Sequence, residues 1–297
     1  MLRIIADSTC DISKEDARKM GIQIVPISVR FGDEEFLDGV EITHKEFYSR
    51  LAECDELPKT SQPSPDTFMK VFNEAVAAGD DVLGIFISSD LSGTYQSACL
   101  AALDVEEATG KKLYMVDSRS ASIGTALLIR EAVKLRDAGK NVTDIAAACT
   151  EMSKYIKLTA VVGSLKYLKM GGRLSGAAAF AGTMLHITPV VSIEDGKVVV
   201  IGKTRGKKAA EKLMHDKLTK DGLSLTRDFM FGHINCSESL ETFINKSLTY
   251  ISDVNGNVGV SSIGCSVGTH VGPGTYGIAY VEAAESGMNR ESIVKTA

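Results

Sequence analysis

Val82-Leu83-Gly84-Ile85-Phe86-Ile87-Ser88-Ser89-Asp90-Leu91-Ser92-Gly93-Thr94 is the stretch that decides the fold. Its uninterrupted small and apolar run, Val82 to Ile87, predicts a strand buried on both faces, as in parallel sheets. A hydroxyl-rich turn then hands over to a helix from about Thr94. The same alternation recurs on either side. Leu2–Asp7 predicts a first strand, followed by a helix over Lys14–Met20 that Ser13 caps and Gly21 ends. Ile22–Phe31 predicts a second strand, bent or near an edge because Pro26 removes a ladder donor. Leu113–Val116 predicts another strand, running through Asp117-Ser118 into a long helix over Ala121–Ala138. This alternation implies a parallel sheet with helices on both faces.

Two further helix starts are written in capping chemistry. Thr43-x-x-Glu46 is a capping box, with Phe47, Tyr48 and Leu51 on the apolar side. Ser64-Pro65 is a hydroxyl cap followed by proline at the first helical position, with Phe68, Val71, Phe72 and Ala75 at helical spacing and Gly79 ending the run. The pattern changes after about residue 156. Thr188–Ile193 and Lys197–Ile201 flank Asp195-Gly196 as a hairpin. Helical runs at Lys207–Leu218 and Ser239–Leu248 then alternate with strand-like Arg227–Ile234, Val258–Ile263 and Tyr276–Val281. The expected fold class is α/β in two domains: an N-terminal parallel-sheet domain over 1–156 and a C-terminal α+β domain over 157–297. A length of 297 residues fits that division.

Composition narrows the function classes. A net charge of −5 argues against a nucleic-acid partner. Cys10, Cys54, Cys99, Cys149, Cys236 and Cys265 are scattered, with no Cys-x-x-Cys and no Cys/His ligand spacing, so they read as reduced, mostly buried thiols and no metal is expected. The N-terminus reads as a strand rather than a secretory signal, so the expected compartment is the cytoplasm. The longest small-and-apolar stretch, Gly176 to Leu185, is too short to span a membrane.

Three motif matches fail on context. Gly272-Pro273-Gly274-Thr275-Tyr276-Gly277 fits the dinucleotide fingerprint, but a strand-like run follows it where a helix is required. Gly196 to Gly202-Lys203-Thr204 resembles a phosphate loop, but five residues separate the glycines and they read as a strand, so no ATP site is expected. Gly264-Cys265-Ser266-Val267-Gly268 fits the nucleophile-elbow pattern, yet the expected continuation is a Val-Gly-Pro-Gly loop, and no acid lies between Ser266 and His270.

What survives is a set of small hydroxyl residues beside glycine or proline: Thr60-Ser61-Gln62-Pro63-Ser64-Pro65, Ser88 to Thr94, and Thr269-His270-Val271-Gly272-Pro273-Gly274. Neutral donors and free backbone N–H groups at strand ends suit a small anionic head group. Ser92 sits where open α/β sheets bind ligands, and its plain alternative is a helix cap. Thr60 and Ser61 precede a helix that Ser64 already caps, leaving a turn or ligand donation. His270 is expected in a rigid loop. The candidate ligand-binding set is Thr60, Ser61, Ser92, Gly93, Thr94, His270 and Gly272. Arg173, on the Gly171-Gly172 loop, suits an oxyanion or a partner carboxylate. Lys203, Arg205, Lys207 and Lys208 form a basic cluster: a solvated helix start, or a docking patch for an acidic protein, a nucleotide phosphate or an anionic membrane surface. The small-residue helix expected at Gly176–Thr183 serves close packing, or walls an apolar tunnel with Phe180, Met184, Leu185 and Ile187. A serine hydrolase for a small ester, using Ser266 or Ser92, and a binder of another anionic metabolite remain as alternatives.

Taken in order, these segments resemble the DegV family of bacterial fatty-acid-binding proteins, which includes the lipid-binding subunit of bacterial fatty acid kinase. The resemblance is carried by Asp7-Ser8-Thr9, Thr60 to Ser64, Leu91-Ser92-Gly93-Thr94-Tyr95, Val116-Asp117-Ser118, Gly171-Gly172-Arg173-Leu174-Ser175 and Thr269 to Gly274. It implies one long-chain fatty acid between two domains. The carboxylate would be held by Thr60 or Ser61 and by Ser92, with His270 close by, and the tail would run into the second domain. It also implies no cofactor, and a separate ATP-dependent kinase subunit that phosphorylates the bound acid for phospholipid synthesis.

Overall fold

The computed structural model describes residues 1–54, 56–176, 187–224, 226–250 and 256–283. The chain begins with strand β1 (Leu2–Asp7), a 3-10 turn at Ser8–Cys10, helix α1 (Lys14–Met20) and strands β2 (Ile22–Val25), β3 (Ser28–Phe31) and β4 (Glu34–Leu37). Helix α2 (His44–Glu53), strand β5 (Lys59–Ser61) and helix α3 (Pro65–Ala77) follow. Next come β6 (Asp81–Phe86), α4 (Thr94–Thr109), β7 (Tyr114–Asp117), α5 (Ile123–Asp137) and α6 (Val142–Met152). The second half holds β8 (Ile156–Val161), α7 (Lys166–Met170), β9 (Thr188–Glu194), β10 (Lys197–Thr204) and α8 (Lys207–Asp221). It closes with β11 (Phe229–His233), α9 (Ser237–Tyr250), β12 (Val258–Ser262), α10 (Cys265–Val271) and β13 (Tyr276–Val281).

These strands form a parallel sheet in the order β2-β1-β6-β7, a mixed sheet β10-β9-β8-β13-β11-β12 and an antiparallel sheet β4-β3-β5. The fold is thus α/β, with a parallel-sheet unit followed by a mixed-sheet one. The predicted caps do their work: Ser13 accepts from Asp16 N at 3.0 Å, Thr43 from Glu46 N at 3.2 Å and Ser64 from Thr67 N at 3.2 Å. Gly21 ends α1 at φ +62°, where a side chain would be strained.

Several expectations need correction. Pro26 does not bend one strand; it separates β2 from β3, which belong to different sheets. The short elements β4, β5, α6, β8 and α7 had no strong periodic signal. The segment after Gly264 is a helix, so Val258 to Gly268 forms a strand-to-helix turn after all, and His270 lies in the last turn of α10 rather than in a loop. The small-residue helix expected at Gly176–Thr183 falls, from residue 177 onward and with Phe180, Met184 and Leu185, outside the described residues.

Helix α5 joins the two main sheets. Residues Ile123 to Ile129 are all buried, which a surface helix with one apolar stripe could not be. Leu128, Ile129 and Ala132 pack with Ile4, Ala6, Leu83 and Ile85 of the parallel sheet. Ile123, Ala126 and Leu127 pack with Leu158, Ala160, Met230 and Ala279 of the mixed sheet. Gly232 permits that approach: a Cβ there would lie 2.9 Å from Ile123 Cγ2. Leu128→Ala should therefore lower stability by about 2–5 kcal/mol, read as a lower urea midpoint at unchanged slope.

Candidate functional site

A cavity lies where the two halves meet, with an empty volume of about 1060 Å³ when counted out into open solvent. Most of its wall is aliphatic. Leu158, Ala160 and Val162 follow strand alternation along and just beyond β8, and Val191 and Ile193 do so on β9. Val198, Ile87, Leu91 and Ile123 extend that surface. Thr60, Gln62, Ser92, Arg173, Ser266 and His270 supply polar atoms.

Buried carboxylates aim α10 at the cavity. Asp38 accepts from Cys265 N at 3.2 Å and from Ser266 N at 3.0 Å, and Asp11 accepts from Gly264 N at 2.8 Å. These satisfy the free N–H groups that open a helix. The Tyr48 hydroxyl donates to the carbonyls of Ile263 at 2.9 Å and Gly264 at 3.2 Å. Ser8 donates to Asp38 at 3.2 Å and accepts from Ile27 N at 3.0 Å. Asp7 accepts from Ile87 N at 3.0 Å and from Thr9 N at 2.9 Å. The Asp7-Ser8-Thr9 segment is thus a hub for the site's supports. Burial pushes the carboxyls of Asp7 and Asp11 up from the ordinary carboxylate range.

The head of the cavity gathers three of the expected residues. His270 Nε2 lies 2.9 Å from Thr60 Oγ1. Ser92 Oγ lies 2.9 Å from Thr94 Oγ1 and accepts weakly from Thr94 N at 3.3 Å, so its hydroxyl closes a turn rather than capping α4. The remaining four stand off the wall. Thr60 and Ser61 are successive strand residues and face opposite ways, which leaves Ser61 exposed. Thr94 is fully buried behind Ser92. Gly93 makes room for Gln62, whose amide oxygen would lie 2.3 Å from a Cβ there. Gly272 ends α10 at φ +74° against the Tyr167 ring.

Arg173 is half-buried on the cavity wall. Its Nε donates to Leu91 O at 3.2 Å and its Nη1 to Gly171 O at 2.5 Å, which ties the Gly171-Gly172 loop to the segment carrying Ser92. That loop also presses on the imidazole, since a Cβ at Gly171 would lie 2.3 Å from His270 Nδ1. Lys203, Arg205, Lys207 and Lys208 are exposed at the end of β10 and the start of α8 and do not line the cavity; Lys207 Nζ donates to Ser239 Oγ at 2.9 Å. Sequence reasoning passed over Gln62 and Ser266 as lining residues. The i, i+4 spacing of Ser266 and His270 was the available signal, unusable while that segment was read as a loop.

Two alternative chemistries lack parts. Ser266 Oγ has no hydrogen-bond partner, so no general base contacts the hydroxyl of the turn that resembles a nucleophile elbow. Asp38, His44 and Cys265 bring ligand-type atoms within 4.8 Å of one another. However, Asp38 is already engaged by two backbone N–H groups and Ser8, and burial pushes the Cys265 thiol up. That set serves the helix cap.

The family model described as "Uncharacterised protein, DegV family" matches residues 1–283. The chain belongs to the DegV family. A DegV domain-containing protein of Clostridium acetobutylicum is 35% identical over 289 residues, 94% of this chain and 97% of that one. A DegV family protein from Thermus thermophilus, described for its fatty acid binding, superposes with a TM-score of 0.85 at 31% identity, covering 95% of this chain and 100% of that one. A stearic-acid-binding protein from Eubacterium ventriosum gives a TM-score of 0.84 at 29% identity, covering 96% and 100%. DegV relatives therefore hold fatty acids in crystal structures. Among the described residues of this chain, no helix is long and apolar enough to cross a membrane.

The imidazole of His270 is pulled down to about 4, first by burial and then by the positive charge of Arg173. It is neutral at pH 7. Because the unfolded chain takes up this proton near 6.5 and the folded one only near 4, stability should be lost as pH falls through that window. The loss from this group is about 2 kcal/mol between pH 7 and pH 5. Chemical denaturation at both pH values should show His270→Gln flattening that difference, and NMR of the wild type should show one imidazole titrating near 4.

Proposed function

We propose that the chain binds a single long-chain fatty acid between two domains that divide at about residue 156, where β8 begins. The carboxylate lies against Thr60, Ser92 and His270, with Arg173 alongside, and the tail follows the aliphatic face of β8, β9 and β10. The observation that carries this reading is that one cavity is lined both by Thr60 bonded to His270, with Arg173 tethered to the segment carrying Ser92, and by branched aliphatic side chains of β8, β9 and β10. The fatty acids held by DegV relatives support it.

The energetics suit that division. Burying the tail of a sixteen-carbon acid at ~0.8 kcal/mol per methylene gives at most about 12 kcal/mol before association costs. Affinity comes from the tail, while the head group supplies orientation. Neutral hydroxyls and a neutral imidazole hold the carboxylate, and the Arg173 guanidinium, tied to the carbonyls of Leu91 and Gly171, supplies a positive charge beside them. On this reading the chain works in the cytoplasm and has no catalytic role of its own. It presents the acid to a separate ATP-dependent kinase subunit, which forms the acyl phosphate for phospholipid synthesis. The exposed cluster of Lys203, Arg205, Lys207 and Lys208 suits an acidic face of that partner, or brief contact with an anionic membrane surface.

Native mass spectrometry of purified protein should show one fatty-acid adduct, and delipidated protein should take up palmitate or oleate. Ser92→Ala should weaken the free acid by about 1–3 kcal/mol, and wild type should prefer palmitate over its methyl ester. Equal binding of acid and ester would remove the head-group assignment.

The placement of Arg173 separates binding from docking. Arg173→Ala should lower fatty-acid affinity. Charge reversal across Lys203 to Lys208 should leave lipid occupancy intact while weakening acyl-phosphate formation with a cognate kinase, most strongly at low salt. The check is to measure lipid occupancy and ATP-dependent transfer on the same variants.

A further inference from the structure

The face of α10 and its leading turn that looks into the cavity is marked by spacing. Ile263, Ser266, Val267, His270 and Val271 all line it, at the i, i+3, i+4, i+7 and i+8 positions that share one helical face. Three of these are aliphatic, and His270 has Thr60 as a partner. Ser266 puts a hydroxyl where a valine would pack without cost. The residue is 2% exposed and its Oγ makes no hydrogen bond.

The other hydroxyls of the lining are engaged. Thr9 donates to Asp7, Ser122 to Asp11 and Thr275 to the carbonyls of Val271 and Gly272, while Thr60 bonds His270 and Ser92 bonds Thr94. Nor does the helix offer Ser266 an outlet. A helical serine returns its proton to the carbonyl four residues earlier, but here that residue is Ser262, the last of β12. A buried hydroxyl left unpaired forfeits the hydrogen bonds water would give it. The position therefore calls for a polar atom supplied from the cavity.

We propose that Ser266 reads an oxygen on the acyl chain, so that the preferred ligand is an oxygenated fatty acid, hydroxy or oxo, bearing that oxygen a few carbons from its carboxyl. This rests on the fatty-acid reading of the cavity. His270 marks the head-group end, and Ser266 stands one turn away, about 5.4 Å along the helix. A carboxylate held at Thr60 and His270 leaves Ser266 beside the first part of the tail. A plain hydrocarbon there leaves the hydroxyl unpaired, whereas a chain oxygen satisfies it. Because serine both donates and accepts, hydroxy and oxo acids are each matched.

The test titrates delipidated wild type, Ser266→Ala and Ser266→Thr with three acids. These are palmitate, palmitate hydroxylated near its carboxyl end and palmitate hydroxylated at its terminal carbon. Equal melting temperatures establish that the variants fold alike. Wild type should prefer the near-carboxyl hydroxy acid over palmitate by roughly ten-fold, about 1.4 kcal/mol. Ser266→Ala should abolish that preference with little change for palmitate, and Ser266→Thr, which keeps a hydroxyl, should retain it. An equal fall for all three acids would make Ser266 a carboxylate donor and overturn the proposal. Unchanged affinities throughout would leave water as its partner and overturn it equally. If palmitate and both hydroxy acids all fail to bind, the fatty-acid reading itself falls, which is a distinct result.

Discussion

The site depends on one contact between the two halves of the chain: the carboxylates of Asp38 and Asp11 receive the N–H groups of Gly264, Cys265 and Ser266 that open α10. A buried carboxylate is costly unless hydrogen bonds replace its water, and a helix start offers several N–H groups with a favourable dipole. Neither acid makes an ion pair among the described residues; backbone N–H groups and the hydroxyls of Ser8 and Ser122 solvate them instead. The contact fixes the height and roll of α10, and with them the directions of Ser266 and His270. Asp7 does the same for the turn carrying Ser92 through its bond to Ile87 N. Removing any of these acids would leave several buried donors unpaired at once.

Around that frame the cavity divides its labour. The aliphatic wall comes from alternate residues of strands whose opposite faces pack elsewhere: Val161 and Val190 lie in the core beneath α8, while Ala160 and Val191 face the ligand space. Strand pairing therefore spaces the wall residues. The head end is built differently, from a strand residue (Thr60), a turn residue (Ser92), a helix residue (His270) and a loop residue (Arg173). Its geometry needs the tether from Arg173 to Leu91 O and the bond between Thr60 and His270. Burial and the guanidinium together keep the imidazole neutral, so among the described lining residues the fixed positive charge is that of Arg173.

Much of the fold was legible because local chemistry and tertiary need coincide. Ser13, Thr43 and Ser64 cap the helices that their spacing predicts, and the apolar run of β6 is buried on both faces. Where they diverge, the reading failed. Pro26 marks a break, but only the pairing of β3 with β4 and β5 sends the chain into a new sheet. The Thr269-His270 segment carries glycines that read as a loop, yet the cap supplied by Asp38 and Asp11, hundreds of residues earlier in the chain, makes it helical. No local pattern contains that partner. The Gly-Gly loop leaves the direction of Arg173 open between an oxyanion and a partner carboxylate; bonds to the carbonyls of Leu91 and Gly171 set it on the cavity wall.

The sequence by itself determined the elements whose signals are local: buried strands, capped helices, the Asp195-Gly196 hairpin and the ordered motifs that mark the DegV family. It also named Thr60, Ser92 and His270 among its candidate binding residues, Thr60 because a hydroxyl in front of a filled cap lacks a local purpose and Ser92 because it follows a buried strand. Which hydroxyls share a wall was decided only in three dimensions. Strand alternation turned Ser61 to solvent and Thr60 to His270, and the roll of α10 put Ser266 in the cavity. Those outcomes depend on carboxylates, carbonyls and side chains distant in sequence, and such contacts exist only once the two halves have packed against α5.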